Sequence, residues 1–363
     1  MIAASGALAG VGFILLALTQ NYISFVLVYV GLMSIGFSGG FDQGIMAVAN
    51  RWFVVRRARA MSVIFVGISS GAAFLAPAIG LIVVHWGWRV AAFSSGVTML
   101  VLLVHAIVVI RDLPEHLGLR PDGAASLQAD KSNSLPADAH PGSRGVAEVN
   151  FTAGQGIRTL AFWLLTLAMG LRIGAFTGFL THFVPIIVWK GQTETTAALL
   201  IGICGLTAIP LRLLMGWGGD RWPKQKMSSL GMLIGATGLL ILILGTGQLW
   251  HLIIFVAMFA AADSTVVVAW ALVGDLFGRL AFATLLGVMT MVYSFISATT
   301  PISAGVIFDA TGSYFGALVL FTILLLLAGM LFWIIPRPSL PVRPAAIGVN
   351  PDIMRPTETK IGD

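Results

Sequence analysis

Charged residues are scarce in this chain of 363 residues, where they make up only 10% of the sequence. Soluble domains carry about 25% charged residues, so the composition excludes an ordinary soluble fold. Cysteine is nearly absent too, since Cys204 is the only one, which excludes an internal disulfide and a multi-cysteine metal site. The sequence has no ATP-binding motif, no His/Cys/Asp metal cluster and no nucleophile–base spacing. It therefore favours neither an enzyme nor a self-contained ATP-driven pump, and no cofactor or metal is predicted.

Long apolar stretches dominate instead, because hydrophobic residues make up 58% of the chain. A bilayer core about 30 Å thick requires roughly 20 apolar residues per helix. Ten stretches meet this requirement, near 2–18, 23–49, 60–84, 90–110, 159–189, 196–215, 227–247, 251–274, 284–308 and 315–335. The first of them is not a secretory signal, because it has no basic n-region and a second apolar helix follows almost at once. The sequence therefore predicts an all-α, polytopic membrane protein with ten transmembrane helices.

The formal net charge of +6 comes from basic residues that gather in alternate loops. If the N-terminus is cytoplasmic, 17 of the 21 Lys and Arg residues fall in inside segments, and only Arg89 and Lys190 fall in outside loops. This bias satisfies the positive-inside rule and predicts that both termini are cytoplasmic. The basic excess therefore anchors the topology, and no nucleic-acid partner is predicted.

A polar segment divides the chain into two parts. Residues 121–144 are rich in Ala, Ser, Pro and Asp and have no apolar periodicity, which is typical of a flexible linker. Four predicted helices precede this segment and six follow it. The predicted organisation is an incomplete N-terminal bundle at 1–111, a cytoplasmic linker at 112–158, a six-helix bundle at 159–336 and a cytoplasmic tail at 337–363.

The two parts of the chain repeat one another. GALAG at 6–10 resembles GMLIG at 231–235, and the next predicted helix of each part carries one acid, Asp42 in the first and Asp263 in the second. Internal repeats of this kind are common in secondary transporters. The four helices before the linker match the last four after it, so residues 159–226 have no counterpart.

The unmatched segment ends in a polar island, GWGGDRWPKQK at 216–226. Over nearly all of residues 1–336 the chain resembles major facilitator superfamily transporters, whose pattern is six plus six helices in two pseudo-symmetric halves. The island resembles the loop motif of that family, with Gly, Asp-Arg and basic residues. Within the superfamily, RDLPEHLGLRPDG at 111–123, THFVPII at 181–187 and IFDATGSY at 307–314 resemble the oxalate/formate antiporter and monocarboxylate porter branch.

This resemblance also implies a departure from the family pattern, because the chain aligns without the family's first two helices. The family's first helix lines the substrate cavity, so transport by this chain alone is in doubt. A start codon assigned too late is one explanation, and a true truncation or a decayed gene is the other.

Two arginines lie within predicted helices, where a charge costs roughly 2.5–3.5 kcal/mol on insertion scales and usually faces a cavity or a partner. The resemblance places Arg172 on a cavity-lining helix, and it places Arg212 where the monocarboxylate branch binds the substrate carboxylate. A guanidinium offers a planar fork that matches a carboxylate. Two alternatives stay open: Arg172 pairs with Asp263, which lies at similar depth, and Arg212 extends toward the cytoplasmic headgroups.

The other candidates in the predicted helices are titratable. Asp42 and Asp263 occupy comparable places in the two parts, and either could couple protons to anion movement because a buried carboxylate can bind a proton near neutral pH. The alternative is that each neutralises an arginine or bonds to nearby backbone. His182 lies ten residues after Arg172, toward the outer face, where it could titrate and contact substrate or could be an ordinary interfacial polar residue.

Asp220 and Arg221, in the polar island, suit a cytoplasmic gate better than a binding site. A loop carboxylate can accept hydrogen bonds from the N-terminus of a facing helix and so hold the cytoplasmic side shut. The contact would break when the two bundles rock apart.

The sequence thus predicts a secondary active transporter of a small monocarboxylate or dicarboxylate that works by alternating access, with proton coupling or exchange. Its predicted partners are the organic anion, protons and the lipid bilayer, and no oligomer is required. The predicted location is the bacterial inner (plasma) membrane. The alternative is a non-transporting membrane protein of the same fold, acting as a sensor or completing another bundle, or a truncated inactive chain.

Overall fold

The computed structural model describes residues 2–37, 42–111, 114, 122, 151–279 and 281–338. Helix accounts for 87% of these residues, and none of them forms a strand. The all-helical class predicted from the sequence is therefore confirmed. Most of the predicted linker and almost all of the predicted tail lie outside the described residues.

In the N-terminal bundle the described residues form four helices and one π-helical segment. They are α1 (Ile2–Leu18), α2 (Tyr22–Val28) with its π-helical continuation (Tyr29–Ser34), α3 (Asp42–Trp52) and α4 (Arg57–Val109). Asn21 begins α2 with a capping box, in which its side chain accepts from the N–H of Ser24. Such a cap satisfies one of the free N–H groups of the first helical turn.

Helix α4 turns back on itself at Gly87, where φ is 83° and the backbone is not helical. A straight helix of 53 residues would be about 80 Å long, more than twice the thickness of a bilayer core. Just after the turn, Arg89 donates to the carbonyl of Thr19 at the end of α1 (2.9 Å). Beyond the end of α4, the carbonyl of Arg111 accepts from Trp52 at the end of α3 (2.8 Å). The two arms of α4 are therefore antiparallel, as expected from two separate apolar stretches in the sequence.

The C-terminal bundle contains nine helices among the described residues. They are α5 (Ala153–Ile157), α6 (Leu160–Thr181), α7 (Phe183–Trp189), α8 (Glu194–Gly219), α9 (Lys224–Leu244), α10 (Leu249–Ser264), α11 (Val266–Phe277), α12 (Phe282–Thr311) and α13 (Phe315–Ile334).

Two stretches predicted as single helices are interrupted. The stretch 159–189 breaks at His182, because Pro185 cannot donate to a carbonyl four residues earlier and its ring clashes there. The stretch 251–274 breaks at Thr265, where the hydroxyl of Thr265 donates to the carbonyl of Ala262 (2.7 Å). Side chains that bond back to the helix in this way compete with the helical ladder.

The apolar core is concentrated in the C-terminal bundle, where α6 packs closely against α12. Added Cβ atoms would fall 2.6 Å from the Ile296 side chain at Gly170 and 3.0 Å from the Thr300 hydroxyl at Gly174. Glycine at these positions allows the two helices to approach closely, as small residues do in membrane bundles. Helix α6 stays continuous through both glycines, so they serve packing and not a bend.

Among the described residues, seven helices are long and apolar enough to cross a bilayer, and two further apolar helices, Ile2–Leu18 and Tyr22–Ser34, are shorter. One of the seven is the part of α4 from Ala78 to Val109, which contains the turn at Gly87, and another is α10 together with α11. Several of these long apolar helices bury only a small share of their residues inside the structure. This is expected for helices whose outer surfaces face lipid.

Candidate functional site

Three charged side chains from three helices of the C-terminal bundle meet in one cluster. Arg172 comes from α6, Arg212 from α8 and Asp263 from α10. The Asp263 carboxylate lies 2.6 Å from Nη2 of Arg212 and 3.6 Å from Nη2 of Arg172. One carboxylate thus bridges two guanidinium groups, and the three side chains together carry a formal charge of +1.

The two arginines differ in their other contacts. Arg172 also donates to the backbone carbonyl of Asp263 (2.7 Å), lies over the ring of Phe176 (4.8 Å to the centroid), and is only 3% exposed. Arg212 donates to the backbone carbonyl of Phe65 on α4 (3.0 Å) and is 13% exposed. Arg172 is therefore held inside its own bundle, whereas Arg212 lies at the contact between the two bundles.

Each arginine retains an unused donor. The Nε atoms of Arg172 and Arg212 are buried and have no hydrogen-bond partner in the described part of the chain. Buried polar groups are usually bonded, so each such group requires an explanation. A cluster with one excess positive charge and two unpaired N–H donors is suited to a carboxylate, whose oxygens only accept.

The cluster lies beside the break between α10 and α11. Asp263 precedes Thr265 by two residues, and its backbone carbonyl accepts from Arg172. Transporters often form substrate and ion sites where a transmembrane helix is discontinuous, because backbone groups near the break can face the site. The geometry of Asp263 fits this pattern.

The remaining predicted candidates lie apart from the cluster or cannot be placed in it. Asp42 is the first residue of α3, and its side chain is outside the described residues. His182 contacts the carbonyl of Pro301 (3.0 Å) through Nε2 and the hydroxyl of Tyr314 (3.2 Å) through Nδ1. Because a carbonyl only accepts, Nε2 carries a proton and donates to Pro301. Burial, and secondarily the Asp309 carboxylate, raises the pKa of Tyr314, which keeps the hydroxyl protonated.

A second charged site joins the two bundles at the end of the molecule where α3 stops and α4 starts, named here the basic end. Asp220 follows α8, and its carboxylate accepts from the N–H of Ala58 (3.0 Å) and from Nε of Arg59 (2.7 Å). Its side chain is only 4% exposed. Since Ala58 lies in the first turn of α4, the carboxylate occupies the position where a helix N-terminus favours negative charge.

Asp275 forms a second contact between the bundles at the basic end, which the sequence reading did not single out. It lies 3.2 Å from Arg57 of α4 and 2.5 Å from Lys224 of α9. The available signal was an acid near the end of an apolar helix, four residues before Arg279. Arg221 instead stacks on Trp217 of its own turn (3.9 Å), so it does not take part in the contact made by Asp220.

The contacts of Asp220, Asp275 and Arg212 all connect the N-terminal and C-terminal bundles. The first two lie at the basic end, and the third lies deeper, eight residues before Asp220 along α8. The bundles are therefore closed against each other at the basic end in this structure.

Comparison with known proteins places these features in a family. A sequence profile for the Major Facilitator Superfamily matches residues 1–262 and again residues 184–357. Monocarboxylate transporter 12 of Xenopus laevis is 24% identical over 329 residues, which cover 87% of this chain and 69% of that protein. Monocarboxylate transporter 11 of Homo sapiens is 24% identical over 351 residues, covering 93% and 68% respectively.

Solved structures of the same family share the fold. A variant of the Escherichia coli fucose:proton symporter superposes with a TM-score of 0.67 at 16% identity, covering 93% of this chain and 83% of that one. The human organic anion transporter TETRAN superposes with a TM-score of 0.59 at 16% identity, covering 91% and 76%. At these identities the similarity shows the fold alone. The named relatives and structures are transporters and not enzymes.

Proposed function

The chain belongs to the Major Facilitator Superfamily, and from this premise we propose that it is a secondary active transporter of a small organic anion, a monocarboxylate or a dicarboxylate. It is an integral, multi-pass membrane protein. The observation that carries the proposal is the cluster of two arginines and one aspartate, with a formal charge of +1 and two unpaired Nε donors. The named sequence relatives, which are monocarboxylate transporters, support the same substrate class.

Within this proposal, Arg212 is the residue that binds the substrate carboxylate. It is the more exposed of the two arginines, and it lies at the contact between the bundles, where alternating access requires the substrate to sit. Arg172, which is more deeply buried, adds positive charge to the site and holds Asp263 in place through its backbone carbonyl.

Asp263 competes with the substrate for the same guanidinium groups. A proton on Asp263 would remove its negative charge and free Nη2 of Arg212 for the substrate, which couples anion binding to a proton. Exchange of one anion for another would keep Asp263 ionised and needs no proton. Asp42 remains a predicted second coupling residue.

His182 remains a predicted substrate contact near the opposite end of the molecule. Both of its ring nitrogens already have partners in the C-terminal bundle, so a substrate would have to replace Tyr314 or Pro301.

The proposed topology has ten membrane crossings and cytoplasmic termini, with the basic end in the cytoplasm. The turn at Gly87 supports two crossings within α4, and the positive-inside rule supports the orientation. The division into bundles at 1–111 and 159–336 with a cytoplasmic linker and tail belongs to the same proposal. The bacterial inner membrane remains a prediction, and the relatives named above come from vertebrates.

The full chain reconstituted in liposomes is expected to take up a radiolabelled small carboxylate in exchange for the same carboxylate trapped inside. Excess unlabelled monocarboxylate or dicarboxylate should suppress the uptake, whereas a neutral sugar should not. Protein-free liposomes are the control. Transport of a sugar or a cationic drug, with no carboxylate transported or competing, would contradict the proposal.

Asp220→Asn is expected to weaken closure of the basic end while leaving the protein inserted. The amide still accepts from Ala58, but the charge opposite Arg59 is lost, and a hydrogen bond to a charged group is worth about 1.5–3 kcal/mol. A cysteine at Ser62 reports the change, because Ser62 is buried against Gly216 between the bundles. The reporter is read in a Cys204→Ser background.

Labelling of this cysteine by a water-soluble thiol reagent from the cytoplasmic side should rise roughly tenfold or more in Asp220→Asn. Asp309→Asn is the matched control, since Asp309 is exposed near the opposite end of the molecule. An unchanged labelling rate would leave Asp220 as a topology anchor only.

A further inference from the structure

Asp122, which follows α4 in the chain, is bonded to the backbone at the basic end. Its backbone N–H donates to the carbonyl of Trp52 (3.3 Å), the last residue of α3. The indole N–H of the same Trp52 donates to the carbonyl of Arg111 (2.8 Å). Arg111 and Asp122 are therefore both bonded to Trp52 of α3.

The Asp122 carboxylate accepts from three successive backbone N–H groups. Oδ1 accepts from Val54 and from Val55 (3.2 Å), and Oδ2 accepts from Arg56 (2.9 Å). Successive backbone N–H groups that converge in this way form an anion-binding concavity, and here a side chain of the same chain fills it. Arg56 is the N-cap residue of α4 and offers no side-chain cap of its own. Asp122 binds the N–H groups of Arg56 and of the two residues before it, whereas the N–H of Ala58 in the first helical turn, which an N-cap side chain would serve, is bound by Asp220.

The turn bound by Asp122 immediately precedes the residues that contact Asp220. Two residues after Arg56, the N–H of Ala58 donates to Asp220 of the opposite bundle, and Arg59 completes that contact. Two carboxylates thus bind the start of α4, one from the N-terminal bundle's own following segment and one from across the interface. Asp122 thus fixes the turn just before Ala58 and Arg59, which are the residues that Asp220 contacts.

We propose that Asp122 is a positioning residue for closure of the basic end, acting through residues 54–56 on the contact of Asp220 with Ala58 and Arg59. The proposal rests on the alternating-access function proposed above. Without the Asp122 carboxylate, three N–H groups lose their shared acceptor and the turn gains conformational freedom. The N-terminus of α4 is then less often in the position that Asp220 requires, so the open state gains population.

The test measures labelling of the Ser62→Cys reporter in the Cys204→Ser background for Asp122→Ala, Asp122→Asn, Asp220→Asn and the double variant Asp122→Ala with Asp220→Asn. Loss of one net intramolecular hydrogen bond changes an equilibrium by roughly two- to twelvefold, so Asp122→Ala, which removes the acceptor of three N–H groups, should raise labelling by at least a factor in this range. Asp122→Asn should have a smaller effect than Asp122→Ala, because the amide oxygen can still accept from Val54 and Val55, whereas the amide nitrogen cannot accept from Arg56. Asp309→Ala is the matched control.

The double variant separates positioning from general stabilisation. If Asp122 acts through the Asp220 contact, the double variant should label little faster than the faster single variant. Independent contributions would multiply. Melting temperature and yield of each variant in detergent show whether the fold is retained.

Unchanged labelling in Asp122→Ala, or effects that multiply in the double variant, would overturn the role of Asp122 and leave the transport proposal standing. If no variant and no added carboxylate changes labelling at all, closure of the basic end is not part of a transport cycle. In that case alternating access fails together with the role of Asp122.

Discussion

Arg212→Lys is expected to raise the substrate concentration needed for half-maximal transport by about one to two factors of ten, with the protein still folded. A carboxylate gains about 1.5–3 kcal/mol from a hydrogen bond to a charged group, which corresponds to this range. Lysine keeps the positive charge, and that charge can still pair with Asp263. It lacks the planar fork, however, and at a bidentate site that loss is not conservative.

The structure makes this expectation sharper than the sequence did, because it accounts for the individual donors of Arg212. Nη1 is bonded to the carbonyl of Phe65 and Nη2 to Asp263, while Nε has no partner among the described residues. A lysine ammonium can replace one of these bonds well, but it cannot span the bundle contact and also offer a parallel pair of N–H groups. The loss should therefore fall on the substrate.

The measurement is the concentration dependence of carboxylate uptake in liposomes, together with the melting temperature in detergent. Arg158→Lys is the matched control, because Arg158 is exposed between α5 and α6, and about three helical turns of α6 separate it from Arg172 of the cluster. Normal transport by Arg212→Lys over the whole concentration range would show that Arg212 does not hold the substrate.

Much of this cluster was accessible from the sequence, because intramembrane charges are rare enough to be singled out. Arg172 and Asp263 were expected at similar depth on different helices, and the structure places them 3.6 Å apart. The sequence left open whether Arg212 contacts the substrate carboxylate or extends toward the headgroups, and the structure pairs it with Asp263, which neither alternative named. The position of a residue along a transmembrane helix sets its depth in the membrane, and similar depth was enough to predict that Arg172 and Asp263 could meet.

The sharing of one carboxylate by two arginines could not be predicted in the same way. It depends on which faces of α6, α8 and α10 turn toward each other, and the nearly uniform apolar composition of these helices gives no periodic pattern to read. The contact of Arg212 with Phe65 was equally hidden, since it involves a backbone carbonyl, which every residue has. In the sequence, Asp122 stands out only as one residue of the motif at 111–123, because bonds to three backbone N–H groups cannot be inferred from residue type.

Helix boundaries were predictable only where a local cause is visible. Gly87 lies between two apolar stretches that were recognised as separate, and Pro185 explains the end of α6. The break at Thr265 has no glycine or proline of its own. It follows from hydroxyl bonds to the preceding turn, which serine and threonine also make in helices that stay continuous.

Asp263→Ala is expected to damage folding more than any other single change in the cluster. It leaves two buried guanidinium groups with no carboxylate between them, and breaking a buried ion pair by removing one partner costs about 3–5 kcal/mol. Arg172→Ala should be less damaging. It removes a bond to the Asp263 carbonyl and the packing on Phe176, but it leaves the 2.6 Å pair of Arg212 and Asp263 intact.

The double variant Arg172→Ala with Asp263→Ala should recover part of the loss seen in Asp263→Ala, because one unpaired buried charge remains instead of two. Expression level and melting temperature in detergent for the wild type, the two single variants and the double variant complete a double-mutant cycle. Asp309→Ala, which removes an exposed carboxylate near the opposite end, is the control for the loss of an acid as such. If the two single losses simply add, Asp263 does not neutralise Arg172. The bridging carboxylate would then not be the element that keeps two positive charges together inside the membrane.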